Sequence, residues 1–222
     1  IPFKKAKAKQ MSYLTVEEMM KLIGVIDKNS KYGYRDYMII LLMYESAIRV
    51  SELINVRLID FRFSKPYSIK IVGKGNKQRY VPLSEQFIEK VQEYVLSLNN
   101  KKLETDFLFT NHSNNKLTRA GVSHILNKYV TIARNNNPSL FKENVTPHSL
   151  RHTKAMHLLQ DDVNLIYIRD ILGHVSIQTT EIYARADSAR LRQAIEKSYK
   201  ELSTETKCEW QEEEIINWLK SF

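Results

Sequence analysis

The sequence predicts an α+β domain that is mostly helical and carries a small antiparallel β-hairpin against one side. Three observations lead there. Capped stretches with apolar residues at helical spacing recur along most of the 222 residues. One pair of strand-like segments flanks the turn Gly73-Lys74-Gly75-Asn76-Lys77. Apolar residues make up 43% of the chain, ample for a core.

Taken in order, Thr15 and Glu18 form a capping-box pattern ahead of Met19, Met20, Leu22, Ile23 and Ile26, an apolar face reaching about Asp27. Tyr34 to Tyr44 is strongly apolar and reads as a buried helix. Arg49 precedes a short helix opened by Val50 or Ser51, with Leu53 and Val56 inward and Glu52 placed to brace the guanidinium. Tyr67 to Val72 and Arg79 to Leu83 are the hairpin strands. Ser84 starts a helix to about Leu98 with Phe87, Ile88, Val91 and Val95 inward. Asn99 to Glu104 is a polar loop, and Phe107 to Phe109 a short buried segment. Thr118 caps a helix to about Arg134, whose Arg119, Ser123, Asn127 and Lys128 form a face suited equally to solvent or a DNA groove. Asn135 to Asn144 reads as a mobile loop of low order.

The segment Thr146 to Tyr183 concentrates the chemistry. Thr146-Pro147 reads as an N-cap followed by proline at the first helical position. His148 and Arg151, three residues apart, then share a face near a helix end whose free N–H groups favour an anion. Asn164 to Leu172 reads as a second helix closed by Gly173, with Leu165, Ile168, Ile171 and Leu172 inward and His174 just past the cap. Ser176 caps a short third helix that places Tyr183 at or beyond its last turn. Singly, such histidines and tyrosines are ordinary packing residues. Together they supply the distinct requirements of phosphoryl transfer.

Net charge is +9, from 34 basic and 25 acidic residues. Glu201, Glu205, Glu209, Glu212, Glu213 and Glu214 gather near the C-terminus, so the body is more basic than the average, as a nucleic-acid footprint requires. No run approaches the roughly 18 apolar residues of a membrane span, and no export signal opens the chain. The expected compartment is the cytoplasm. A lone Cys208 leaves no internal disulfide to form.

The motifs PHSLRHT, LGH and EIY, with YESAIRVSELINV and IVGKGNKQRYVPL earlier in the chain, resemble the tyrosine recombinase (phage integrase, Xer-like) family from about Leu14 to Arg192. The resemblance implies that family's catalytic-domain fold and DNA strand cleavage and rejoining through a 3′-phosphotyrosyl intermediate. It assigns Arg49, Arg151, His148 and His174 to the phosphate and the proton transfers, Lys74 as general acid, Tyr183 as nucleophile and Glu52 as support. Ser46-Ala47 stand where the family more often has Thr-Gly, which affects the turn more than the chemistry. Lys77 and Arg79, with Arg119 and Lys128, are expected to contact DNA. No cofactor or metal is expected, since bond energy is retained in the phosphotyrosyl link. The partners implied are double-stranded recombination sites and further copies of the chain, a tetramer in the synaptic complex, in the service of phage integration, transposition or chromosome dimer resolution.

Residues 1–12 read as a linker remnant, 13–203 as the catalytic domain, and 204–222 as a C-terminal helix that folds back or docks on a neighbouring protomer. Rival readings are a metal hydrolase, a binding-only protein and a type IB topoisomerase. HSLRH lacks the glutamate of a zinc His-Glu-x-x-His motif, and every residue type that cleavage needs is present. Strand exchange, rather than relaxation alone, separates a recombinase from the topoisomerase.

Overall fold

The computed structural model describes residues 12–98, 103, 105–173 and 180, and of Lys74 the backbone alone. Helices form where a cap meets an apolar stripe. Thr15 caps α1 (Val16–Gly24): its hydroxyl accepts from the Glu18 amide while the Glu18 carboxylate accepts from the Thr15 amide. The helix stops at Gly24, short of Asp27, and Met20 points to solvent while Met19 and Leu22 are buried.

α2 (Gly33–Glu45) is the spine, buried from Asp36 to Met43, and α1, α4, α5 and α6 all pack against it. A turn through Ser46–Ile48 leads to α3 (Val50–Leu53). The sheet has three antiparallel strands in sequence order: β1 (Phe61–Arg62), β2 (Ser68–Val72) and β3 (Gln78–Pro82). The short β1 adds a strand to the expected hairpin. Registered pairs Ile69↔Val81 and Ile71↔Arg79 set one face of the hairpin inward.

α4 (Glu85–Ser97) follows its Ser84 cap, with Val95 partly buried against the core as expected and Tyr94 buried as well, edge-on against Tyr34 and beside Phe109. α5 (Arg119–Asn136) starts at its Thr118 cap. The loop after it is held rather than loose: Arg134 donates from Nε to the Phe141 carbonyl and from Nη2 to that of Glu143, and Phe141 N–H donates to Glu18 Oε1. α6 (Pro147–Gln160) and α7 (Leu165–Leu172) complete the described body. A small second core of Ala47, Ala155, Met156, Ile168 and Leu172 joins the turn after α2 to both of these helices. No helix among the described residues is long and apolar enough to cross a membrane.

Candidate active site

Arg49 is the N-cap residue of α3, with extended backbone dihedrals. Glu52, at the third helical position, answers it twice: Arg49 N–H donates to Oε2 at 2.9 Å and Arg49 Nη1 donates to Oε1 at 3.0 Å. The Glu52 carboxylate is only 6% exposed, and a buried carboxylate needs cationic or N–H partners to stay ionised. The Arg49 side chain remains 38% exposed, so its fork is braced from behind and open in front.

Arg79 is the second cation on the same carboxylate. Its Nη1 and Nη2 donate to Oε1 and Oε2, both at 2.9 Å, in the bidentate geometry guanidinium favours. Its Nε donates to the Ile171 carbonyl at 3.0 Å, near the end of α7. Burial pushes the Glu52 carboxyl up, but the Arg79 hydrogen bonds, the Arg49 amide and both positive charges outweigh it and hold it below the usual range. Arg79 was expected to touch DNA. The structure puts its guanidinium to a different use, as a bolt between β3, α3 and α7.

Two glycines allow this approach. A Cβ on Gly73 would stand 3.2 Å from Glu52 Oε1, so the hairpin tip closes against the carboxylate. Gly173 caps α7 in the left-handed region at φ 62°, and a Cβ there would stand 2.9 Å from Arg79 Cδ.

The α6 start is built by Thr146, whose hydroxyl accepts from the Ser149 amide, with Pro147 at the first helical position. Arg151 is not on an open face as expected. It is 2% exposed, donating from Nη1 to the Ala47 carbonyl at 2.6 Å and from Nη2 to the Leu172 carbonyl. Those carbonyls fix it between the Arg49 turn and the end of α7. His148 remains exposed, one turn before His152, their rings 4.5 Å apart and edge-to-face. Desolvation, then the charges of Arg151 and Arg49, depress the His148 pKa, which keeps its imidazole neutral. His152 is pushed down to about 4 by desolvation, then by His148 and Arg151.

The hairpin turn carries Lys74 in a short 3-10 turn, Lys74–Asn76, directly beside Gly73. Lys77, Arg119 and Lys128 are exposed, and Lys128 lies over the Tyr129 ring with Nζ 4.6 Å from its centroid. His174 and Tyr183 lie outside the described residues, as do the linker and C-terminal helix expectations. Among the described residues, no three His, Cys, Asp or Glu side chains gather as a metal site. Sequence reasoning missed the inward turn of Arg79, although strand alternation places it in phase with buried Val81. It also missed the carbonyl anchors of Arg151, which no side-chain pattern signals.

Residues 12–190 match the Phage integrase family. The tyrosine recombinase XerC of Staphylococcus epidermidis is 37% identical over 177 residues, 79% of this chain and 57% of the relative. The tyrosine recombinase XerA of Pyrococcus horikoshii is 36% identical over 188 residues, 83% and 60% of the two chains. The chain thus spans about three fifths of the length of these curated relatives. Among solved structures, the XerH site-specific recombinase bound to palindromic difH substrate, a post-cleavage complex, aligns with a TM-score of 0.72 at 30% identity, covering 84% of this chain and 53% of that one. The Tn1549 transposon integrase in complex with transposon right end DNA shares the fold, with a TM-score of 0.69 at 19% identity over 85% of this chain and 69% of that one. On the match over residues 12–190, the chain belongs to the phage integrase family.

Proposed function

We propose that the chain is the strand-cleaving and strand-joining part of a site-specific DNA recombinase. The observation that carries this reading is the convergence of Arg49, Arg151 and His148, brought from distant segments and held by Glu52, the Ala47 carbonyl and the Leu172 carbonyl. Two guanidinium groups and a neutral imidazole in one place suit a phosphodiester in flight, whose charge spreads over its nonbridging oxygens.

The Tyr183 phenolate oxygen attacks a backbone phosphorus, and the P–O5′ bond breaks as the phosphotyrosyl bond forms. A free tyrosine has a pKa of about 10, so attack needs a base, and the exposed neutral His148 takes the phenolic proton. Lys74 on the hairpin turn protonates the leaving 5′-oxygen. Arg49 forks the nonbridging oxygens, Arg151 supplies positive charge from the floor of the site, and His174 hydrogen-bonds the phosphate. A 5′-hydroxyl of another strand then reverses the step. One phosphodiester replaces another, so no nucleotide cofactor is consumed.

The substrate is double-stranded DNA, in keeping with the DNA-bound XerH and Tn1549 integrase structures. Lys77, Arg119 and Lys128 are exposed cations suited to its backbone. Strand exchange requires several copies, and a tetramer acting in the cytoplasm on a chromosome or mobile element is the assembly we assign. The relatives named above are recombinases and integrases, so neither the topoisomerase nor the binding-only alternative is favoured.

Covalent trapping tests the reading. On nicked suicide duplexes carrying a sequence selected for binding from a random library, the chain is expected to form an adduct that maps to Tyr183 and disappears in Tyr183→Phe. Tight DNA binding with no adduct would overturn it.

A further inference from the structure

Arg79 lies opposite Ile71 on the inward face of the hairpin, in step with Val81. A strand residue in that phase normally carries an apolar side chain. Here it is a cation whose three donor nitrogens reach two other elements: both oxygens of Glu52 on α3 and the Ile171 carbonyl on α7. Glu52 in turn holds Arg49 by its amide and by Nη1. Gly73 and Gly173 are both shaped around this junction, one against Glu52 and the other against the Arg79 side chain. The strand that returns from the Lys74 turn is thereby tied to the brace of Arg49 and to the helix that runs toward His174.

We propose that Arg79 is a positioning residue for strand cleavage, holding Arg49 through Glu52 in fixed register with the Lys74 hairpin and the end of α7, and that it makes no phosphate contact. The proposal rests on the recombinase reading above. It matters because guanidinium binding to a transferring phosphoryl group works only when the fork is set before the reaction begins. Arg49 is half in solvent, so without a brace it would sample many rotamers. Glu52 supplies the brace only while ionised, and Arg79 holds both of its oxygens with one bidentate guanidinium.

Two readouts separate positioning from packing or from DNA contact. The first is the salt dependence of binding. Losing one phosphate contact lowers the slope of log K against log salt by about one, whereas losing a positioning residue leaves the slope unchanged. The second is the pH profile of cleavage. The charged groups that face Glu52 among the described residues are Arg49 at its own helix start and Arg79 from β3. Removing Arg79 leaves burial, which raises the carboxyl, opposed by Arg49 alone. Glu52 then takes up its proton at a higher pH, Arg49 loses its brace, and the acid limb of cleavage moves upward in pH.

The experiment compares wild type, Arg79→Met and Arg79→Lys in the full chain, on the same nicked duplexes, with thermal melts to confirm folding. For Arg79→Met we expect wild-type DNA affinity and salt slope, single-turnover adduct formation slowed up to about a hundredfold, and an acid limb displaced to higher pH. Arg79→Lys should recover part of the rate, since an ammonium reaches one carboxylate oxygen but does not also span to Ile171. If Arg79→Met does not fold, Arg79→Lys is judged by the same limb and slope. Weaker binding with a slope lower by about one, and bound complexes cleaving at the wild-type rate, would make Arg79 a phosphate contact and overturn the proposal. Wild-type rate with an unmoved acid limb in a folded variant would overturn it as well. Absence of an adduct with wild type would sink the recombinase reading itself, a result distinct from either.

Discussion

Among the described residues, two buried carboxylates receive arginines, and they are finished differently. Asp36, 3% exposed on α2, takes Arg35 through Nε at 3.0 Å and Nη2 at 2.7 Å, both on Oδ1. Its other oxygen accepts from the Tyr129 hydroxyl at 3.0 Å, and Arg35 Nη1 is committed to the Thr110 carbonyl at 2.9 Å. One cation meets one anion, and a neutral hydroxyl closes the set. At Glu52 the second partner is another guanidinium, so two cations share one carboxylate and one of them faces solvent. In the first case the ion pair lies within α2 and becomes a knot between helices through the Tyr129 hydroxyl of α5. In the second it leaves an excess of positive charge with an open edge, which is what an anionic substrate needs.

The comparison is broken most sharply by removing one exposed and one enclosed arginine. Arg49→Ala should lower adduct formation by roughly 10²–10³-fold, the usual cost of deleting one preorganised stabiliser of transition-state charge, with little change in the melting curve because its side chain is partly solvated. Arg35→Met should do the reverse. It strands a buried carboxylate, which costs about 3 kcal/mol or more in denaturant unfolding, while the folded fraction cleaves at the wild-type rate. Equal losses of activity per folded molecule in both variants would erase the distinction between knot and site. Tyr129→Phe is a gentler cut. It leaves Asp36 Oδ2 without its hydroxyl donor and should cost about 2 kcal/mol of stability with no change in cleavage.

The same contrast shows what the sequence could disclose. Helix starts were legible because caps are local: Thr15, Ser84, Thr118, Thr146 and Asn164 each bond an amide two or three residues on. The hairpin was legible through alternation and its glycine turn. Arg49 with Glu52 was legible because three residues on a helix start bring them together. Arg79 was not, since its partners lie 27 and 92 residues away and its charge drew a reading of surface cation where strand phase pointed inward. The burial of Arg151 escaped for a similar reason: main-chain carbonyls can anchor any cation, and nothing in a neighbouring side chain marks which carbonyls will be turned toward it. Likewise β1 is two residues long, too short to show a period.

One of those carbonyls belongs to Ala47, and it sets the smallest effect we expect. Ala47 is fully buried with φ 48°, a left-handed conformation that costs an L-residue roughly 1 kcal/mol and glycine nothing. The conformation turns its carbonyl to Arg151 Nη1 directly before the chain reaches Arg49. Ala47→Gly therefore relieves strain in the folded state, but it also frees the unfolded chain, which costs about as much, and it removes a methyl from the small core shared with α6 and α7. These contributions oppose one another, so the variant should melt within a few degrees of wild type and cleave at the same rate. A gain of more than about 1 kcal/mol would mean that the turn is held under greater strain than its dihedral implies, and that the Arg151–Ala47 bond is what forces it. A marked loss of cleavage with unchanged stability would instead make the alanine methyl itself part of how the two arginines are spaced.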